Sequence, residues 1–167
     1  MHPIALRKVS STVIIRKADP REAELISELA IRSKAYWGYP DEFMQACREE
    51  LTVTAEDLAN DDLHFFVADQ DSKLLGYHAI EKCADTEYEL YGMFVEPDHI
   101  GTGVGKALME HAKTEVEALG GKTLVIQGDP NAEKFYRAAG GKPAGMRESE
   151  SIPGRYLPLF IIELNSP

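Results

Sequence analysis

Residues 88–119 read YELYGMFVEPDHIGTGVGKALMEHAKTEVEAL, a strand pattern, a glycine-rich loop and a helix pattern in succession. The aromatic and branched residues of Tyr88–Val95 predict a buried strand. From Lys106 onward the apolar residues recur close to the helical period, at Ala107, Leu108, Ala112, Val116 and Leu119. The first N–H groups of a helix lack internal partners, and the helix dipole adds positive charge there. Because glycines let an anion approach the backbone, this order predicts a phosphate or pyrophosphate site.

The glycine loop matches neither of two common phosphate-binding patterns. A Walker loop needs Lys-Ser/Thr after its last glycine, but Lys106 is followed by Ala107, and the spacing from Gly101 is wrong. A dinucleotide-binding loop needs G-x-G-x-x-G, whereas Gly101–Lys106 reads GTGVGK. The alternative is a glycine turn that only connects a strand to a helix.

Two segments of the chain resemble motifs of one enzyme family. Phe94–Leu108 resembles the acetyl-CoA-binding motif of the GNAT acyltransferases, Q/R-x-x-G-x-G/A after a V-x-P strand end. Asn131–Gly141 reads NAEKFYRAAGG and resembles that family's N-x-x-A-x-x-F-Y-x-x-x-G-F signature in compressed form. The two motifs also have the family's order and spacing. One departure is that the Q/R position falls on Ile100, so a side-chain contact to the phosphates is lost.

The resemblance implies acetyl-CoA as the acyl donor, with its pyrophosphate on the loop amides. The donor-binding residues expected on this basis are Phe94, Val95, Gly101, Thr102, Gly103, Val104, Gly105, Lys106, Asn131 and Tyr136. In the family, the central strand and the next parallel strand splay apart at a bulge, and the pantetheine arm lies in the gap. Gly92, inside an otherwise bulky strand, is where we predict that bulge.

Acyl transfer to an amine needs a neutral amine, a stabilised oxyanion and a protonated thiolate leaving group. The resemblance places the acid at Tyr136, whose phenol can donate a proton to the thiolate; packing of its ring on the sheet is the alternative. Glu89, on the central strand, is the predicted base, with Glu81 or Glu87 as substitutes or as plain surface carboxylates. The backbone N–H of Phe94 or Val95 is expected to stabilise the oxyanion.

The residues predicted near the acceptor, besides Glu89, are Trp37, Tyr39, His78 and Arg155. Three aromatic residues around Gly38 form either a small core between two helices or one wall of a substrate pocket. His78 lies within a strand, where a structural histidine is the common outcome. Arg155 could hold a substrate carboxylate through two hydrogen bonds, which suits an amino acid or a peptide; a surface arginine in a turn is the alternative.

The function predicted from the sequence is an N-acetyltransferase that moves an acetyl group from acetyl-CoA to a primary amine. The acceptor is a small molecule, an amino acid or a peptide. A non-catalytic acyl-CoA-binding or regulatory module is the alternative, and the departure at Ile100 mildly favours weakened or altered donor binding. Tyr136 and Asn131, both present, favour the enzyme.

Composition excludes several other classes of protein. The 167 residues are enough for one domain, 1–167, whose first ten residues are expected to be flexible. A net charge of −10, from 28 acidic and 18 basic residues, argues against nucleic-acid binding and against a basic membrane anchor. Cys47 and Cys83 have no metal-like spacing, so no metal site is predicted. Without a signal peptide or an apolar span, a cytoplasmic location is expected; a homodimer is left open.

The predicted element order is β-α-α-β-β-β-α-β-α-β-β, an α/β fold with a mixed central sheet, helices on both faces and a splayed central pair of strands. Six of these seven strands have predicted bounds: Thr12–Arg16, Leu63–Asp69, Leu74–Ile80, Tyr88–Val95, Thr123–Gln127 and Leu157–Leu164. Asp19 is expected to cap the first helix, Pro40–Glu42 to begin the second, and Asn131 to cap the helix Ala132–Ala139.

Overall fold

The computed structural model describes residues 12–164, so the flexible segment expected at 1–10 lies outside the described residues. The strands are β1 (Ile14–Lys17), β2 (Leu63–Gln70), β3 (Lys73–Lys82), β4 (Glu87–Val95), β5 (Thr123–Gln127), β6 (Lys142–Glu148) and β7 (Tyr156–Glu163). The helices are α1 (Ala23–Ala35), α2 (Asp41–Leu51), α3 (Ala55–Ala59), α4 (Val104–Ala118) and α5 (Glu133–Ala138). No helix in this part of the chain is both long and apolar enough to cross a membrane.

The strands form one seven-stranded sheet in the order β1-β2-β3-β4-β5-β7-β6. Strands β4 and β5 are parallel, because α4 carries the chain back between them, and the other neighbours are antiparallel. The predicted mixed α/β sheet is therefore confirmed. The short helix α3 was not predicted, since five residues are too few to show a helical period; its only sequence signal is the capping box formed by Thr54 and Asp57.

Helix starts follow the local capping chemistry, with one correction. Asp19 caps the turn Pro20–Glu22, which leads into α1, as predicted. The cap before α5 is Asp129 and not Asn131, because the Asp129 side chain accepts the Asn131 backbone N–H at 2.9 Å. Asn131 is the second residue of the turn Pro130–Ala132 that precedes α5, so its side chain is available to other partners.

Helices cover both faces of the sheet and divide the core into two main parts. On one face α1 and α2 cover β2 and β3, with buried side chains that include Ile26, Leu29, Cys47, Phe65 and Tyr77. On the other face α4 and α5 cover β4, β5 and β7, with buried side chains that include Met109, Val116, Leu124, Tyr136 and Phe160. Because both faces are buried, the central strands are apolar along most of their length.

A bulge interrupts the pairing of β4 with β3 at the predicted place. Ala79 is paired with Gly92, but the next residue of β3, Ile80, is paired with Leu90. Tyr91 is therefore the extra residue on β4, and its side chain is 44% exposed. A bulge of this kind bends the strand and increases its twist, so β4 turns away from its parallel neighbour beyond this point.

Strands β4 and β5 separate as a result. Only Glu87–Glu89 pair with β5, opposite Thr123–Val125. Beyond these three pairs β5 continues beside β7. From Leu90 to Val95, the edge of β4 that faces away from β3 has no partner strand among residues 12–164. The predicted splayed pair is confirmed, and it leaves an opening in the middle of the sheet.

The His78 side chain is buried beneath α4, on the face opposite α1 and α2. It has no exposed surface, and its Nε2 lies 2.9 Å from Nδ1 of His111. The Phe66 ring stacks on it with a centroid distance of 5.2 Å, and its Nδ1 has no hydrogen-bond partner in the described part of the chain. Burial lowers the pKa of His78 to about 3 and also lowers the pKa of His111. Both rings are therefore neutral in the folded protein near neutral pH.

We expect the free energy of unfolding to fall as the pH is lowered from 7 to 5. The unfolded chain takes up protons below pH 6.5, the ordinary histidine pKa, while folded His78 excludes its proton until about pH 3. Each excluded proton lowers stability by up to about 1.4 kcal/mol per pH unit in this window. Urea denaturation at pH 7, 6 and 5 measures the slope, and His78→Leu, which conserves volume, should reduce it. An equal slope in the variant would contradict the assignment.

Candidate active site

The opening between β4 and β5 leads into a cavity of about 660 Å³. Its walls come from α1, α2, β3, β4, the glycine loop, the end of β5 and α5. The glycine loop lies at one end of the cavity and a group of glutamate side chains lies at the other. Chain segments that are far apart in sequence meet here because the sheet is open at its centre.

The glycine loop leaves the start of α4 accessible from the cavity. Gly103 is the residue before the first turn of α4, with a φ of 96°, and Gly101 has a φ of 85°. A Cβ added to either glycine would meet no protein atom within 4 Å, so the space beside the loop is open. Gly101, Gly103, Gly105 and Lys106 line the cavity. This geometry suits a pyrophosphate bound to backbone amides.

Two loop residues that were expected to bind the donor have side chains that point away from the cavity. The Thr102 hydroxyl donates to the His99 carbonyl at 2.6 Å, which stabilises the loop itself. The Val104 side chain is buried beside Leu75 and Leu108 under the sheet. Neither side chain lines the cavity, so their contribution to a bound donor is limited to their backbone amides.

The unpaired edge of β4 presents alternate backbone groups to the cavity. The Glu96 N–H donates to the Leu75 carbonyl on β3 at 2.8 Å. Backbone groups alternate in direction along a strand, so Phe94 also faces β3, while Met93 and Val95 face the opening. The Val95 N–H donates to the Ser33 hydroxyl at 3.3 Å. Met93 and Val95, and not Phe94, therefore turn their backbone groups toward the opening, where the donor contacts of Phe94 and Val95 were predicted.

Tyr136 lies on α5 with its ring at the cavity wall and only 8% of its surface exposed. The ring packs against Phe135 and Phe160. Gly128 packs against it as well, since a Cβ there would lie 2.8 Å from a ring carbon. Burial, with a smaller contribution from the charge of Asp129, raises the pKa of Tyr136 well above its ordinary value. The phenol is therefore protonated at neutral pH and can act as a proton donor.

Asp129 connects three separate segments beside Tyr136. Its carboxylate accepts from Lys34 Nζ at 2.9 Å and from the Tyr39 hydroxyl at 2.8 Å. Asn131 Nδ2 donates to Asp129 at 2.9 Å and to the Tyr39 hydroxyl at 3.0 Å, and Arg155 also donates to Tyr39 at 3.0 Å. Burial opposes ionisation of Asp129, but the hydrogen bond from Lys34 keeps its pKa below the ordinary value. We call these five residues the Asp129 cluster.

The aromatic residues after α1 support this cluster. Tyr39 stacks on Phe43 with a centroid distance of 4.1 Å, and the cations of Lys34 and Arg155 lie over the two rings. Lys34 and Arg155 line the cavity, but Tyr39 does not. Trp37 lines the cavity and is 43% exposed. Of the two interpretations of this aromatic segment, Tyr39 fits the small core and Trp37 fits the pocket wall.

Five glutamates are among the residues that line the cavity: Glu49, Glu50, Glu81, Glu89 and Glu150. Glu81 and Glu89 are register partners near the start of β4, away from the glycine loop that follows this strand, and the charges of Glu89 and Glu150 act on Glu81. Glu89 accepts two contacts from Arg147 Nη1, at 3.0 and 3.1 Å. His78 is not part of this region, because the direction of its side chain on β3 places it under α4. The expected position of His78 near the acceptor is therefore wrong.

Comparison with known proteins identifies the architecture. The model of the "Acetyltransferase (GNAT) domain" family matches residues 22–150, most of the chain. This protein belongs to the GNAT acetyltransferase family. It is 31% identical over 147 residues to the peptidyl-lysine N-acetyltransferase YjaB of Salmonella typhimurium, covering 87% of this chain and 94% of that protein. It is 32% identical over 128 residues to the peptidyl-lysine N-acetyltransferase YiaC of Escherichia coli, covering 76% and 82%.

A solved structure has the same fold. The PaiA N-acetyltransferase of Thermoplasma acidophilum, in complex with coenzyme A, superimposes with a TM-score of 0.73 at 19% identity, over 91% of this chain and 99% of that one. Membership of the GNAT family makes this protein an acetyl-CoA-dependent N-acetyltransferase. The glycine loop, the splayed strands and the cavity between them fit an acyl donor with a pyrophosphate and an extended arm.

Several residues of this GNAT site were not found from the sequence. Lys34, Asp129 and Arg147 carry no local motif, because their partners are tens of residues away in the chain. The only local signal is the position of Asp129 two residues before Asn131 in the second motif. Ile100 lines the cavity at the departure from the family pattern, where it presents an apolar side chain.

Proposed function

We propose that this GNAT enzyme acetylates the side-chain amine of a lysine residue in a peptide or protein. The observation that carries the proposal is the number of carboxylates in the cavity wall, which includes five glutamate side chains. A lysine ammonium ion is cationic before it reacts, so negative charge attracts it and orients it toward the donor. Two relatives more than 30% identical to this chain are named peptidyl-lysine N-acetyltransferases, which supports the same class of acceptor.

The residues around the opening have the groups that transfer to an amine requires. We assign the donor pyrophosphate to the amides of Gly101–Lys106, and the arm of the donor to the free edge of β4 at Met93 and Val95. The Asn131 side chain is held by the Asp129 cluster, and both its N–H contacts are internal, so its carbonyl oxygen is the group available to the donor. Tyr136 protonates the departing thiolate.

The ion pair of Glu89 with Arg147 bears on the choice of base. Glu89 was the predicted base, and it lies at the correct end of the cavity. The Arg147 guanidinium contacts both oxygens of the Glu89 carboxylate. Glu89 acting as the base would require this contact to break, whereas Glu89 acting as an oriented charge would not.

A panel of amines tests the proposed acceptor class. Release of coenzyme A from acetyl-CoA should be fastest with a peptide that carries an internal lysine, slower with a neutral monoamine, and slower again with a free amino acid. Turnover of the lysine peptide should fall as the salt concentration rises, because exposed charges are screened. A free amino acid as the best acceptor would contradict the proposal and would instead support Arg155 as the contact for a substrate carboxylate.

Charge removal at the rim gives a matched comparison. Glu49→Gln/Glu150→Gln should raise the KM for the lysine peptide by about fivefold at low salt, because each exposed ion pair is worth up to about 1 kcal/mol. Glu24→Gln removes an exposed carboxylate on α1 away from the cavity and should leave the KM unchanged. An equal KM in the double variant would show that the rim charge does not select the acceptor.

Location and assembly complete the proposal. Cys47 and Cys83 are both free thiols, which suits a reducing compartment and supports a cytoplasmic location. A homodimer through β6 is supported by the position of this strand at the sheet edge, where it is exposed along most of its length and includes Met146, 58% exposed. Light scattering of the purified protein gives the mass of one chain or of two.

A further inference from the structure

Strands β3 and β4 place two carboxylates side by side at the acceptor end of the cavity. Glu81 and Glu89 are direct partners in the antiparallel register, so their side chains leave the sheet on the same face. Both line the cavity and both are partly buried. Partners of this kind have Cβ atoms about 5 Å apart, close enough for one ammonium group to contact both carboxylates.

The two carboxylates differ in their partners. Glu89 is held by Arg147 from β6. Within residues 12–164, Glu81 has no cation within 4.0 Å and no side-chain hydrogen bond. The charged groups that act on it are Glu89, Glu150 on the loop before β7, and Asp62 before β2, all of them negative. Burial, and then these three charges, raise the pKa of Glu81 above its ordinary value.

The opposite environments give the two groups different chemistry. The Arg147 guanidinium contacts both oxygens of the Glu89 carboxylate and fixes its orientation beside Glu81. A proton on Glu81 relieves repulsion from its negative neighbours. Glu81 is therefore the member of the pair whose carboxylate is free to accept a proton.

We propose that Glu81 is the general base of this acetyltransferase, with Glu89 and Arg147 as positioning residues. The ammonium group of the acceptor gives one proton to the Glu81 carboxylate, and the neutral amine then attacks the thioester carbonyl carbon. A C–N bond forms, the C–S bond breaks, and the thiolate takes the Tyr136 proton. The second proton on nitrogen restores Tyr136, and Glu81 releases its proton to solvent. This proposal depends on the proposed function in one respect: the acceptor must be an amine with a high pKa.

The pH dependence of kcat/KM for a lysine peptide tests this assignment. Glu81→Gln should lower kcat/KM at pH 7 by about a hundredfold and move the ascending limb up toward the pKa of the amine itself. Glu89→Gln removes a negative neighbour of Glu81. The ascending limb of the profile should therefore remain in this variant but move to lower pH. Arg147→Met leaves the Glu89 charge uncompensated and should move the limb to higher pH. Glu87→Gln, an exposed change on β4 outside the cavity, is the control and should not alter the profile.

An unchanged pH profile of kcat/KM in Glu81→Gln would overturn the proposal. This holds whether Glu89→Gln loses the ascending limb of that profile or keeps it. Acetyl-CoA affinity, measured by calorimetry, should be equal in all four variants, which separates a missing base from a damaged fold.

NMR titration of carboxyl-labelled glutamate, with Glu81→Gln to assign the resonance, gives a second test that needs no acceptor. Glu81 must titrate above the other surface glutamates. Failure of every amine to react would contradict the proposed function, whereas this titration would still decide the state of Glu81.

Discussion

Tyr136→Phe is expected to lower kcat by about a hundredfold and to leave acetyl-CoA binding nearly unchanged. The change removes the hydroxyl and keeps the ring, whose contacts with Phe135, Phe160 and Gly128 hold α5 against the sheet. Burial raises the pKa of Tyr136, so its phenol is still protonated when the thiolate forms and can donate a proton to it. Loss of the proton therefore affects the chemical step more than either binding step.

Steady-state kinetics with the lysine peptide, together with calorimetry of acetyl-CoA binding, measure the two effects separately. Tyr88→Phe is the matched control, because Tyr88 is another buried tyrosine of the same part of the core and does not line the cavity. It should keep the kcat of the unmodified enzyme. If Tyr136→Phe also kept that kcat, the thiolate would leave without a proton from this residue and Tyr136 would only pack α5.

Gly103→Val should weaken acetyl-CoA binding by about 2 kcal/mol, since hydrogen bonds to a charged group that are left unmade cost this much. The φ of 96° at Gly103 is strongly unfavourable for a β-branched residue, so the backbone before α4 must change. The new side chain would also project into the open space beside the loop, which we assign to the pyrophosphate. Both effects reduce the number of amides that reach the donor.

Gly120→Val provides a control at the other end of α4. Gly120 also has a positive φ, 89°, and open space around it, but it lies away from the cavity. The control should lower the free energy of unfolding as Gly103→Val does and leave the donor affinity unchanged. Equal donor affinity in both variants, measured by calorimetry, would contradict the position of the pyrophosphate.

The donor half of the site could be predicted because its signals are local. The strand, loop and start of α4 occupy one short stretch, and the glycines there report directly on backbone conformation. Gly92 likewise marked the bulge, since a glycine within a strand of bulky residues is typical of a local break in strand pairing. The opening of the sheet followed from the family resemblance together with this residue.

The acceptor half could not be predicted in the same way. Lys34 and Tyr39 lie 95 and 90 residues from Asp129, and Arg155 lies 116 residues from Tyr39, so these contacts have no spacing that a single sequence reveals. The choice between Glu81 and Glu89 depends on Arg147, which reaches β4 from β6. His78 was misplaced because alternation along a strand gives two faces, and the sequence alone did not show which face β3 turns toward the cavity.

The three residue pairs between β4 and β5 have a thermodynamic consequence for the whole molecule. Strands β1 to β4 and strands β5 to β7 are two blocks of sheet that share few backbone contacts. A ligand that bonds to both sides of the opening acts as a cross-link between the blocks, and it stabilises the folded state by mass action. Linkage is reciprocal, so a distant contact that holds the blocks together, such as Lys34–Asp129, also contributes to coenzyme affinity without touching the coenzyme.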